Sequence, residues 1–294
     1  MNEFVRYFFL VGLGTIMLGV GLSLTMEDFK RVLVHPRAVV VALVCQAFLM
    51  PFVCLGVAHL FDLAPELAVG LMLLAATPGG TVANLYSHIA RGDVALNITL
   101  TAVNSVLCMF TLPFIVNLSM LHFMGEDRAV PMDPSKIREV FMIVIGPAAA
   151  GMSVRWMWKE LADRAEKPVK ILSGFFLLAM IALIGAMSHE KVLDHGVAVG
   201  GAVFVFSALS IAAGYFAGRL IRVRESQAIA MGMEIGIHNA ALAITIGFTI
   251  LGNPVIAVTP TVYGVVMLFT AALFGWLVNL RRRPDHVPSP VTSG

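Results

Sequence analysis

Glu234, His238 and Asn239 crowd the middle of Ser226–Leu251, an apolar stretch long enough to cross a bilayer. They stand in Met231-Gly232-Met233-Glu234-Ile235-Gly236-Ile237-His238-Asn239, an acid, an imidazole and an amide interleaved with glycines. A charged side chain at that depth costs about 2.5–3.5 kcal/mol on insertion scales, so it persists only where the protein offsets the cost. A second polar interruption, Thr77-Pro78-Gly79-Gly80-Thr81-Val82-Ala83-Asn84, lies within Leu67–Ile89. Proline removes a backbone donor and glycine relaxes the φ/ψ restraint, so this segment should break. The chain from Thr81 to Asn84 then presents backbone and polar side chains at mid-depth, which is tolerable only inside protein or in a water-filled cavity. A simple proline kink is the competing reading.

Asn97, Thr101, Asn104 and Cys108 recur at i, i+4, i+7 and i+11, one face of a helix. Neutral oxygens there serve either as helix–helix glue or as ligands for a hard cation, and Gln46, isolated in another apolar run, poses the same choice. Glu234 weighs on that choice. No Lys or Arg falls near mid-depth to pair with it, so a cation or a proton must neutralise it. Carboxyl, amide, hydroxyl and carbonyl oxygens together suit a hard ion such as Na⁺. The alternative is a protonated Glu hydrogen-bonded to a neighbouring helix. His238 is either a buried neutral imidazole or a proton carrier; no second nitrogen or sulfur ligand at useful spacing supports zinc. Cys45, Cys54 and Cys108 read as inert buried thiols, with a metalloid site as the lesser alternative.

The elements that position these groups are membrane helices. Of 294 residues, 59% are hydrophobic and only 13% charged, and mean hydropathy is +0.88. A soluble domain with so little charge would carry an apolar surface, and the unalternating runs favour helices over a barrel. Punctuation by charge, Pro and Gly gives about nine helices: 5–24, 37–60, 67–89, 94–121, 137–158, 168–188, 196–220, 226–251 and 258–280. The first is long, lacks an A-x-A site and runs into Thr25-Met26-Glu27-Asp28-Phe29, so it reads as structure rather than a signal peptide. Close helix packing explains Gly19/Gly21, Gly196/Gly200 and Gly214/Gly218. Fifteen of the 20 Lys and Arg fall on one side of this arrangement and five on the other. The basic side is cytoplasmic, so the N-terminus lies outside and the C-terminal tail, 281–294, inside. The +2 net charge signals topology, not nucleic-acid binding. No nucleophile–base pair, metal motif or phosphate loop points to an enzyme, and no cofactor is expected. Two broken, polar-centred segments in one hydrophobic chain are the pattern of a secondary transporter.

Three stretches resemble the bile acid:sodium symporter family: Met17–Phe29, Pro78–Asn84 with Arg91-Gly92-Asp93-Val94-Ala95-Leu96, and Glu234–Asn239. The resemblance implies one transporter domain over 1–280 with inverted repeats. A core bundle of helices 37–60, 67–89, 94–121, 196–220, 226–251 and 258–280 would hold two broken helices that cross at mid-membrane. A panel of 5–24, 137–158 and 168–188 would close the substrate cavity. Carried over by position, one sodium site uses Asn84, Asn97, Thr101 and Glu234, with Ala83 offering only a carbonyl. A second uses Gln46, Glu234, His238 and the carbonyls of Ile235 and Ile237, while Thr81 and Asn239 face substrate. Ala83 and Asn97 replace residues that are commonly serine, and His238 replaces a usual glutamine, which weakens the second site. The expected function is sodium-coupled symport of a small organic anion (bile-acid-like, keto acid or pantoate-like) by a monomer in a bacterial inner membrane. A sensor that binds without transport, or a metalloid- or proton-coupled carrier, is the alternative.

Overall fold

The structure, a computed structural model, describes residues 3–126, 134–187 and 189–281. Arg128 and the tail from 282 onward therefore lie outside the described residues. Every regular element among the described residues is helical. In order they are α1 (Glu3–Ser23), α2 (Met26–Lys30), α3 (Pro36–Val44), α4 (Met50–Leu60), α5 (Pro65–Ala75), α6 (Thr81–Ile89) and α7 (Val94–Met124). There follow α8 (Pro134–Met157), α9 (Lys159–Met187), α10 (His189–Leu220), α11 (Glu225–Gly236), α12 (Ala240–Thr245) and α13 (Val258–Arg281). A π-turn at Cys45–Leu49 carries Gln46 and joins α3 to α4, and another at Ile246–Ile250 closes α12.

Seven of the described segments are long and apolar enough to span a membrane, taking α3–α4 and α11–α12 each as one; α7, bent by 57° between Cys108 and Phe110, brings the number to eight. Pro113 explains the bend, since it cannot donate to the carbonyl four residues back at position 109. α5 and α6 are too short to cross singly, with 11 and 9 residues, so the expected span 67–89 is divided into two short helices at its break.

Packing sorts these helices. α1 lies against α8 and α9, whereas α10 packs on α11 and α13, α5 on α7, and α11 also on α6 and α7. The α11–α12 span is 94% buried over its apolar window and that of α9 only 11%, so the segment bearing Glu234 is wrapped in protein while α9 presents most of its surface outward. Glycine permits the closest contacts. A Cβ on Gly214 would stand 2.6 Å from the Met231 carbonyl oxygen, and one on Gly218 2.9 Å from Ala228 Cα, so α10 and α11 meet backbone to backbone. Gly19 lies close to Ser173 and Val169, and Gly21 against the Ala148 backbone. Gly200, by contrast, faces open space; its neighbour Gly201 receives the Phe61 ring instead.

Several boundaries differ from expectation, and α10 begins at His189 rather than at 196. α9 starts nine residues before Pro168, because the charged run that reads as a loop is a helical turn knit by ion pairs. Glu166 holds Lys170 at 2.6 Å and Arg155 at 2.5 Å, and Arg155 also holds Asp163 at 2.5 Å. The second interruption is also narrower than the sequence suggests. α11 remains helical through Gly236, so Glu234 sits on its last turn and only Ile237–Asn239 is unwound.

Candidate functional site

The two breaks touch. The Asn239 amide donates to the Pro78 carbonyl at 2.9 Å and to Thr77 Oγ1 at 3.2 Å, while the Asn239 side chain caps α12 by accepting from the Leu242 amide at 3.0 Å. α6 begins at Thr81 immediately beyond the first break. Backbone groups that unwinding would leave bare are therefore met by the opposite break, as an apolar surround requires.

Glu234 is fully buried beside this contact. Its Oε2 accepts from Thr101 Oγ1 at 2.6 Å and from Asn97 Nδ2 at 3.4 Å, and its Oε1 accepts from the Gly79 amide at 3.2 Å. Asn97 Nδ2 also donates to the Ala230 carbonyl at 3.1 Å, which turns Asn97 Oδ1 away from any donor. That oxygen and Asn84 Oδ1 are both buried and unpartnered. A Cβ on Gly79 would stand 2.5 Å from Glu234 Oε2, so glycine here admits the carboxylate as well as breaking the helix. Carboxylate, hydroxyl and spare amide oxygens on α6, α7 and α11 form a hard, oxygen-only donor set. Ala83, buried in the first turn of α6, adds no side-chain oxygen.

Gln46 and His238 form a second cluster one peptide away. Gln46 Nε2 donates to the carbonyls of Ala75 and Thr77 at 3.0 and 3.1 Å, and His238 Nδ1 lies 3.2 Å from the same Thr77 carbonyl. That contact assigns the hydrogen to Nδ1 and leaves Nε2 a lone-pair acceptor. Gln46 Oε1 and His238 Nε2 are buried without partners. The imidazole stacks on Phe206 at 5.2 Å and leans on Tyr263 at 5.5 Å. Ile235 lies in the last turn of α11 and Ile237 caps it, where helix carbonyls lack intrahelical donors. Thr101 and Asn97 thus bond Glu234 directly, and Gln46 and His238 meet at Thr77 instead. Asn84 presents a free oxygen without a bond to the carboxylate.

Thr81, Asn84, His238 and Asn239 all line a cavity of about 490 Å³ between the breaks and the pair α1 and α9. Sequence reasoning missed several contributors. Thr77 lies in the interruption Thr77–Asn84, but its role as shared acceptor depends on which carbonyl the break leaves free. Tyr263, which donates to the Gly236 carbonyl at 2.7 Å, had a signal: a lone phenol in an apolar helix needs a partner. Lys170 reads as one more cytoplasmic charge, yet it lines the cavity. Cys45, Cys54 and Cys108 are free and buried, and no three His, Cys, Asp or Glu side chains among the described residues are grouped to hold a metal.

The model of the sodium bile acid symporter family matches residues 10–195, more than half of the chain. The chain belongs to that family. Relatives extend the likeness beyond Glu234. An uncharacterized sodium-dependent transporter of Bacillus subtilis, YocS, is 25% identical over 86% of this chain and 77% of its own. A probable chloroplastic sodium/metabolite cotransporter of rice, BASS2, is 28% identical over 88% of this chain, which spans only 61% of the rice protein. The human ileal sodium/bile acid cotransporter is 24% identical over 89% and 76%. Members of the sodium bile acid symporter family are multi-pass membrane transporters rather than enzymes, with sodium as the coupling ion.

Proposed function

We propose that this chain is a sodium-coupled symporter of an organic anion that works by alternating access, with its N-terminus outside and its C-terminus in the cytoplasm. α3–α7 and α10–α13 form the core, and α1, α8 and α9 the panel; nine spans result when α5 and α6 count as one. The mutual packing of α1, α8 and α9 supports this division. A first sodium ion binds Glu234, Thr101, Asn97 and Asn84, with the Ala83 carbonyl nearby. The observation that carries this reading is the pair of orphaned oxygens, Asn84 Oδ1 and Asn97 Oδ1, buried on the helices that flank a buried carboxylate. An unsatisfied buried oxygen costs about 1–3 kcal/mol, a cost that a cation removes.

The second site, made of Gln46, Glu234, His238 and the carbonyls of Ile235 and Ile237, is the weaker. A neutral imidazole offers one nitrogen, a poorer partner for Na⁺ than an amide oxygen. Thr81 and Asn239 face the substrate in the cavity, and the N-terminus of α6 turns its positive end there, favouring a carboxylate or sulfonate. The test is thermal stability of purified protein against cholate, pantoate and 2-ketoisovalerate, each with and without Na⁺. Stabilisation by an anion that grows with Na⁺ is expected. Stabilisation by neither ion nor anion contradicts the reading, and Na⁺-dependent binding without translocation favours the sensor.

A further inference from the structure

We infer that Lys170 of α9 is the cation that receives the anionic group of the substrate in the cavity. The inference rests on the reading of that cavity as the transport site. It starts from charge. An anion moved into a membrane-embedded cavity needs a compensating positive charge. Glu234 with one sodium ion is neutral, and the second site, where a ring nitrogen packed between Phe206 and Tyr263 stands in for an oxygen ligand, holds its ion only weakly. The α6 N-terminus contributes only about half a charge. With the second site weak, a positive charge on the cavity wall would complete the compensation.

Among the described residues lining that cavity, Lys170 is the only Lys or Arg and Glu166 the only carboxylate. Both lie on α9, across the cavity from Thr81 and Asn239. The Lys170 ammonium is held by Glu166 Oε1 at 2.6 Å. The other Glu166 oxygen is held by Arg155 at 2.5 Å, and Arg155 is anchored in turn by donating to the Leu22 carbonyl at 2.6 Å. Glu166 therefore keeps a partner if Lys170 lets go. Arg155 cannot play the same part, since it holds Asp163, Glu166 and Leu22 at once and is only 14% exposed. Lys170 is 44% exposed and has a flexible four-carbon stem. It can turn from Glu166 to an incoming carboxylate or sulfonate without stranding a charge.

The rest of the wall indicates the remainder of the ligand. Ile16, Val20, Leu177 and Met267 line it, so the ligand joins one compact anionic group to an apolar body. Its size suits the range of about 300–1,000 Å³ for small-molecule sites.

The test is equilibrium binding to detergent-purified protein at saturating Na⁺, using cholate, pantoate and 2-ketoisovalerate, each beside its neutral amide. Lys170→Gln should weaken the anions about tenfold, the effect of one charge-assisted contact, and leave the amides and the Na⁺ titration unchanged. Lys170→Arg should restore most of the loss. Glu166→Gln frees the ammonium and should tighten the anions about threefold, a readout of the same exchange through a second variant. Wild-type anion affinity in Lys170→Gln overturns the inference alone, as does an equal loss for anions and amides. Wild-type protein that binds none of the three anions overturns the transport reading, and this inference with it.

Discussion

The two polar clusters at the crossing stand one peptide apart and are built to different ends. Around Glu234, a carboxylate, a hydroxyl and two spare amide oxygens gather on three helices. Around His238, the polar groups face inward to shared carbonyls and the imidazole is clamped by two aromatic rings. Both clusters are buried and each keeps two unpartnered acceptors, but only in the first are both of them oxygens; in the second one is the His238 Nε2 nitrogen. Burial of polar groups alone therefore does not mark an ion site. What marks it is an excess of acceptors that are all oxygens, with a carboxylate bonded into the set.

The sharpest way to break this contrast is Glu234→Gln. It keeps shape and removes the charge, so thermal stabilisation of the purified protein by Na⁺ should vanish; retained stabilisation would place the ion elsewhere. Gly79→Ala should weaken Na⁺ more than about tenfold, because the new Cβ occupies the space of Glu234 Oε2. A sodium titration followed by intrinsic fluorescence reads this directly. Thr101→Val deletes the hydroxyl 2.6 Å from the carboxylate, and the sodium concentration for half-saturation should rise about three- to tenfold. An unchanged titration would return the α7 stripe to helix–helix glue. His238→Gln supplies an amide oxygen where the nitrogen now stands, so the Hill slope for Na⁺ should rise from about one toward about two. A wild-type slope already near two would make His238 a tolerated ligand. Gln46→Met should have the smallest effect on the first ion, under about twofold, since Gln46 bonds Ala75 and Thr77 rather than Glu234.

Much of this arrangement is legible in residue types. Pro78-Gly79-Gly80 announces one break, because no other residues release the helix ladder so effectively. The i, i+4 spacing of Asn97 and Thr101 puts both on the face that meets Glu234. The extent of the second break is not legible, because Gly232 and Gly236 serve close packing: Gly232 lies against α10 at Ile211 and Tyr215, and Gly236 at Ile211. Glycine permits unwinding and close approach alike, and only the neighbouring helix decides between them. The charged run before Pro168 misleads for a related reason, since its helix depends on Arg155 of a different helix. Which carbonyl Gln46 and His238 share is likewise a property of the crossing, which local spacing does not encode.

Uptake into proteoliposomes under an imposed inward Na⁺ gradient, wild type beside Glu234→Gln, tests the central claim most directly. Organic anion should accumulate in wild-type vesicles only while the gradient lasts, with K⁺ unable to replace Na⁺, and Glu234→Gln vesicles should match protein-free controls. Sodium-driven accumulation of equal size by the Glu234→Gln protein would contradict the account.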